Sequence, residues 1–459
     1  LNTIVTLSVV GIAAMLSEVF NYKKLLYGMV MLGLLVALGL AINDWGEYGS
    51  YFNNMVLFDN YAICFSSVMM VSTLLWFFMS RSYFESESSV AEHYTLIIFA
   101  LTGGVIMTCF ADLSMFFIGL EILSVALYVL AGSDKANMRS NEAALKYFMM
   151  GAFATGFLLF GIVLVYGATG SFNIAQIGIF IQQNNEQLPG YFYAGVLLVL
   201  TGLAFKVSAA PFHFWAPDVY DGAPTVVTAF MATVVKTAAF AAFYRLFVYA
   251  FASAHDFWVP VIATLAAATM LIGNITAVYQ VSLKRMLAFS SIAHAGYMLM
   301  ALASVSMAAK NALFFYVISY ALSSIGVFTV LHAVQKATGQ EGIKAVKGLA
   351  KSNPLAAVML TICMLSMAGI PPMAGFFGKY YLFLSALNNE LTWLVFIAVL
   401  SSLIGVYYYF RVIIAVYQEP ELENTAYYQK PSDLFVLYVA AILTMILGIA
   451  PQFVAGLLS

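Results

Sequence analysis

Four residues carry formal charge inside apolar stretches: Glu121 in FFIGLEILSVALYVL, Lys206 in TGLAFKVSAA, Lys236 in TAFMATVVKTAAFAAF and Lys379 in GFFGKYYLF. A charged side chain at the centre of a membrane span costs at least about 2.5 kcal/mol, so such residues usually face a bundle interior or a wet cavity. Lys236 has about fourteen residues of apolar helix on either side, or about 20 Å of rise, and reaches neither membrane surface. Burying an ammonium disfavours its charged form, and a nearby carboxylate restores it. A lysine facing a movable glutamate is therefore a switchable proton site. The competing reading is a Glu–Lys pair that only locks two helices together. Two histidines stand in the same company, His294 in SSIAHAGYML and His213 in PFHFWAP; a lone buried histidine more often packs helices than carries protons. Lys146, one turn inside its apolar run, suits either headgroup contact or function. Arg245, near a helix end, is expected to snorkel to the headgroups.

The spacing of these residues repeats. Glu121 and Lys206 are 85 positions apart, as are His294 and Lys379, and each member of the first pair recurs 173 positions later in the second. A proline-broken segment lies beside each lysine: PFHFWAP after Lys206, and AGIPPMAGFFG before Lys379. Broken backbone at membrane depth is tolerated only where protein or water covers it. The repeat is imperfect: the prolines fall on opposite sides of the two lysines, and the position 173 after Lys236 is Tyr409.

The elements that must position these groups are transmembrane. Of 459 residues, 63% are hydrophobic and 9% charged, whereas a soluble domain is about 45–50% apolar and about 25% charged. The net charge of −2 gives no sign of a nucleic-acid partner. The three cysteines, Cys64, Cys109 and Cys363, sit apart in apolar runs and form no metal or cluster motif. No dinucleotide fingerprint or flavin motif is present, so no cofactor is expected in this chain. A span needs about 20 apolar residues, and that ruler yields about fourteen candidates, among them Leu1–Phe20, Tyr191–Ala210 and Ala223–Phe251. The run Pro354–Leu387 is too long for one straight span and is expected to be interrupted.

Basic residues support that count. Thirteen of the nineteen, Arg81, Arg139, Lys284, Lys336 and Lys351 among them, fall in loops after odd-numbered spans, and only Lys310 in a loop after an even one. The positive-inside rule puts the odd loops in the cytoplasm and both termini outside. The basic residues Lys23 and Lys24 follow the first apolar run, the wrong polarity for a cleaved signal peptide. The expected fold is an all-α integral membrane bundle of about 14 helices. It divides into an N-terminal three-helix segment (1–92), a five-helix repeat (93–251), a second repeat (252–417) and a last loop and helix (418–459). The 173-residue offset corresponds to five spans, an odd number of crossings, so the second repeat is inverted.

The segments FKVSAAPFHFWAPDVYDGAPTVVTAFMATVVK, KRMLAFSSIAHAGYML and LSMAGIPPMAGFFGKYYLF resemble the antiporter-like membrane subunits of respiratory complex I. FFIGLEILSVALYVLAG and NEAALKYFMMGAFATGFLLFG narrow the likeness to the N type of bacterial NADH:quinone oxidoreductase. Lys379, where the M type has glutamate, and PDVYDGAP, in place of the PDAH form of L, M and sodium–proton antiporter relatives, agree with it. So does an end soon after the last span, without the long lateral helix of the L type. The likeness covers the chain from the fourth span onward; the first three spans match by number alone. It implies proton transfer by Glu121, Lys206, Lys236 and Lys379, with His213, His294 and Lys146 in support and Glu121 paired with Lys206. It also implies neighbouring membrane and peripheral subunits as partners, with flavin, iron–sulfur clusters and quinone held in them, in a bacterial cytoplasmic membrane. The alternatives are a subunit of a multisubunit Na+/H+ antiporter or membrane-bound hydrogenase, and a passive scaffold.

Overall fold

The computed structural model describes residues 1–20, 23–84, 89–184, 187–419 and 430–458. The chain opens with α1 (Asn2–Val19), α2 (Lys23–Asn43), a short hairpin of β1 (Gly49–Tyr51) and β2 (Val56–Phe58), and α3 (Asn60–Phe84). Then come α4 (Val90–Cys109), α5 (Leu113–Ala131), α6 (Met138–Thr169), α7 (Ile174–Asn184), α8 (Gly190–Lys206), α9 (Trp215–Gly222), α10 (Thr225–Phe230) and α11 (Lys236–Arg245). The second half holds α12 (His255–Val278), α13 (Leu283–Ala303), α14 (Met307–Thr338), α15 (Leu349–Ser352), α16 (Pro354–Ala368) and α17 (Ala374–Leu387). It closes with α18 (Thr392–Tyr417), α19 (Pro431–Ile449) and α20 (Gln452–Ala455). Twelve helices among the described residues are long and apolar enough to cross a membrane, with α8 and α16 as shorter apolar helices. This is a multi-pass membrane protein.

Burial locates the core. The continuous helix Thr225–Ala250 and α13 are wholly buried, and α14 is 94% buried, whereas α1, α2 and α6 are about one-third buried. Lipid offers no hydrophobic drive between helices, so close packing relies on small residues that let backbones approach. Gly103 of α4 and Gly119 of α5 face each other's carbonyls so closely that an added Cβ would sit 2.6 Å and 2.9 Å from them. Gly161 of α6 and Gly195 of α8 repeat the arrangement at 2.7 Å and 3.0 Å.

Both expected breaks are present. In the first, α8 stops at Lys206, and Ser208 takes a left-handed φ of 62°. The freed backbone groups find partners: Ala209 N–H donates to Ala204 O (2.8 Å), Ala210 N–H to Thr269 Oγ1 (2.9 Å) and Trp215 Nε1 to Phe205 O (2.9 Å). In the second, α16 ends on Gly369 at φ 82°, and Gly375 N–H donates to Ser366 Oγ (3.1 Å). These substitutions for the lost helical bonds are what allow irregular backbone at this depth.

Some expectations change. The first broken helix ends four residues before Ala210, because the chain turns at Val207. The loop Asp44–Asn60 contains the hairpin, and Gly167–Gly190 contains α7, whose apolar Ile174, Ile177 and Ile181 are buried. Parts of the loops Ser80–His93 and Gln418–Asp433, at 85–88 and 420–429, lie outside the described residues. Arg245 does not snorkel. It is 2% exposed and pairs through Nη2 with Asp59 Oδ1 at 2.5 Å, lying 5.0 Å over the Tyr61 ring. The helix end that suggested snorkelling is in fact enclosed by α3.

Candidate functional site: a buried lysine and histidine file

Lys206 is the last residue of α8, and its ammonium donates to Ser124 Oγ at 2.8 Å and approaches Tyr147 OH at 3.4 Å. Ser124 is one turn beyond Glu121 on α5. Among the described residues no ion pair joins Glu121 to Lys206, although the carboxylate is near enough for its charge to act on the ammonium. Glu121 Oε1 is buried without a hydrogen-bond partner. A small cavity of about 10 Å³, close to the room one water needs, lies beside them, lined by Ser124, Tyr128, Thr155 and Lys206. The expected Glu121–Lys206 pair is thus not formed in this structure, and the lysine bonds Ser124 instead.

Lys236 begins α11, directly after a π-helical turn over Met231–Val235. Such turns are uncommon and frequently mark functional positions. Thr233 and Thr237 bond back to the carbonyls of Ala229 (2.7 Å) and Thr233 (2.8 Å) within this stretch. The ammonium donates to the carbonyl and the hydroxyl of Ser291 on α13 and lies 5.4 Å over the Tyr320 ring.

Lys379 lies on α17, past the second break, and donates to Ala368 O and Ser402 Oγ, both at 2.8 Å. Ala368 is the last residue of α16, so the ammonium caps the carbonyl end of a half-helix, where the helix dipole favours a cation. A Cβ on Gly369 would come within 2.8 Å of the lysine's Cδ, so only glycine admits the side chain along that path. His294 sits between Lys236 and Lys379, held by Tyr316 OH at Nδ1 (2.6 Å) and Tyr409 OH at Nε2 (2.9 Å). A second cavity of about 10 Å³ connects it toward Lys379, lined by Tyr316, Ser319, Ser323, Ser366 and Lys379.

Lys206, Lys236, His294 and Lys379 are each buried, at 7% exposure or less, and each has a hydroxyl partner; Lys236 and His294 lie on the wholly buried helices. His213 is brought close to none of them by a hydrogen bond. Its ring stacks on Phe214 at 4.6 Å and its Nδ1 is buried without a partner. Lys146 stands apart too, in a half-exposed network: it bonds Glu142 and Asp218, each at 2.7 Å, and Arg285 bonds Asp218 at 3.0 Å.

Three features lay beyond sequence reasoning. Lys284, counted with the loops, is 1% exposed, and its ammonium donates to Ala223 O (2.5 Å) and meets Glu341 at 3.4 Å. Above it opens a polar cavity of about 770 Å³ at the end of the bundle that carries Arg139 and Lys336, with Asp221, Thr225 and His332 also in its wall. Trp215 of α9 stacks on Tyr147 at 4.6 Å, coupling the first break to the Lys206 site. None of these has a periodic signal, because each depends on partners tens of residues away.

Fold and site together define a membrane bundle with two interrupted helices and a file of buried cations, the architecture of antiporter-like membrane subunits. The profile described as NADH:quinone oxidoreductase/Mrp antiporter, TM, matches residues 111–405. NADH-quinone oxidoreductase subunit N of Cytophaga hutchinsonii is 42% identical over 454 residues, covering 98% of each chain. Among solved structures, a chain of respiratory complex I from Thermus thermophilus superposes with a TM-score of 0.85 at 33% identity, covering 99% of this chain and 98% of that one. A chain of the Mrp complex from Dietzia shares the fold at TM-score 0.89 and 21% identity, covering 99% of this chain and 95% of that one. The chain belongs to the NADH:quinone oxidoreductase/Mrp antiporter transmembrane family.

Proposed function

We propose that this chain is a proton-translocating membrane-arm subunit of an NADH:quinone oxidoreductase, moving protons along a buried file from Glu121 through Lys206, Lys236 and His294 to Lys379. The observation that carries the reading is that three lysines and a histidine, each buried, all hydrogen-bond hydroxyl groups inside the bundle. Redox chemistry takes place in other subunits; flavin, iron–sulfur clusters and quinone belong to those partners and none to this chain. The membrane is the bacterial cytoplasmic one, with both termini on its outer side. Residues 93–251 and 252–417 act as two inverted halves, with 1–92 and 418–459 flanking them, and neighbouring subunits sense the Glu121–Lys206 end and the Lys379 end electrostatically. His213 and Lys146 support the file from its margins.

Ser124 suggests how the first site switches. With the ammonium on Ser124, Glu121 Oε1 has no hydrogen-bond partner. Swinging the ammonium one turn back to Glu121 would pair the two and stabilise the charged lysine. The test is Lys236→Ala in the assembled complex, measuring proton uptake per quinone reduced. Positioned proton-transfer groups contribute about 10²–10⁴ in rate, so coupled turnover is expected to fall by roughly tenfold or more. Unchanged pumping with normal assembly would falsify the reading, and a sodium-dependent pH change without redox subunits would favour an antiporter complex instead.

A further inference from the structure

We propose that the hydroxyl of Tyr409 is a proton-transfer group, passing protons between the Lys236 site and His294, and that Tyr316 performs the matching step on the other face of the imidazole. The inference rests on the function proposed above and adds residues that hold His294 between Lys236 and Lys379. Lys236 is bonded to Ser291. The adjacent residue, Ser290, has its hydroxyl on Tyr409 OH, and Tyr409 OH lies 2.9 Å from His294 Nε2. On the opposite side His294 Nδ1 meets Tyr316 OH at 2.6 Å, and Tyr316 lines the small cavity shared with Lys379. An imidazole between two hydroxyls has one N–H and one lone pair, one for each neighbour.

Each transfer along this line balances. Tyr409 gives its O–H proton to His294 Nε2 while its oxygen takes a proton from Ser290. His294 releases the Nδ1 proton to Tyr316, whose own proton moves into the cavity toward Lys379. The proton that Ser290 gives up is replaced from the Lys236 ammonium, and Lys379 keeps the one that arrives. One positive charge thus moves from Lys236 to Lys379, and every group between them ends neutral. Rotation of the hydroxyls with a return of the imidazole tautomer resets the line. Tyr409, Tyr316 and His294 are all buried, at 1%, 2% and 4% exposure, so bulk water does not short-circuit the line.

The position of Tyr409 supports the assignment independently. It lies 173 residues after Lys236, the same offset that carries Glu121 to His294 and Lys206 to Lys379. What reads in the sequence as the place where the repeat fails is, in the fold, the partner of the repeat's own histidine. The second half therefore keeps a protic group at that position and exchanges an amine for a phenol. Tyr244 provides the contrast: it is 2% exposed, yet its hydroxyl donates to the carbonyl of Ser306 at 3.0 Å, and a carbonyl oxygen has no proton to pass on.

The experiment compares Tyr409→Phe and Tyr244→Phe in the whole complex, each checked for subunit content, with Lys236→Ala alongside. Tyr409→Phe is expected to lower the rate of proton uptake coupled to quinone reduction by at least about tenfold, Tyr409→His to recover part of it, and Tyr244→Phe to leave it near normal. If Tyr409→Phe does not assemble, Tyr316→Phe reports on the other face of the imidazole with the same expected loss. Normal pumping in Tyr409→Phe, or an equal loss in Tyr244→Phe, overturns the inference. If Lys236→Ala still fails to pump in that event, the proposed function stands without it; if Lys236→Ala also pumps normally, both fall.

Discussion

Lys146 and Lys236 show how little a lysine's position in an apolar run says about its use. Both lie inside apolar helices by sequence. Lys236 has only a serine, a carbonyl and an aromatic face around it, whereas Lys146 is 40% exposed between two carboxylates. Partly exposed pairs of that kind contribute about 0.2–1 kcal/mol. Lys146→Ala is therefore expected to cost no more than about 1 kcal/mol and to leave coupled proton uptake well above that of Lys236→Ala, measured in the same vesicles. Equal losses in the two variants would move Lys146 into the file itself. The remote partner Asp218, 72 residues on, is what the sequence hid. The lysines, the glutamate and His294 were legible because a charge in an apolar run is conspicuous and because the 173-residue offset links them. Tyr409 was not, since a tyrosine in a helix raises no alarm until its hydroxyl has a partner.

Elements explain where reading the sequence went astray. Hydropathy locates a helix but not what covers its ends. Arg245 seemed free to reach headgroups, yet the helix continues through a second π turn, Leu246–Ala250, and α3 closes over it. Lys284 likewise seemed to lie in a loop, and the end of α9 covers it through Ala223 O. The breaks, by contrast, were visible as prolines and glycines, and their partners Thr269 and Ser366 were not, being separated from them in sequence. The Asp59–Arg245 pair ties α3 to the helix that bears Lys236. Removing one member of an enclosed pair costs about 3–5 kcal/mol because the other charge is stranded, but Asp59 is 22% exposed, so water relieves part of that. Arg245→Met is expected to lower the thermal stability of the complex by less than that range. Replacing both residues with apolar ones should recover most of the loss. A double variant no more stable than Arg245→Met would show that Arg245 acts through something other than Asp59.

At the scale of the whole molecule, the two ends of the bundle differ in a way that can be checked directly. One end holds the roughly 770 Å³ polar cavity, with Arg139, Lys284 and Lys336 in its wall. The other holds the hairpin and α7, joined through the bridges Val56–Phe110 and Asp112–Asn173. In the orientation proposed from the positive-inside rule, the first end, with its excess of lysine and arginine, faces the cytoplasm. The three native cysteines are buried, at 4% exposure or less, so the chain offers little thiol background to a membrane-impermeant reagent. Ala136→Cys, exposed on the connection between α5 and α6, and Gln182→Cys, exposed on α7, mark the two ends without touching the file. In vesicles with the cytoplasmic face outward, Ala136→Cys is expected to react and Gln182→Cys to be protected, with the pattern reversed in vesicles of opposite orientation. Labelling of both from one side would contradict the arrangement of helices. The reverse pattern would keep the helices but turn the chain over, placing the large cavity on the outer side.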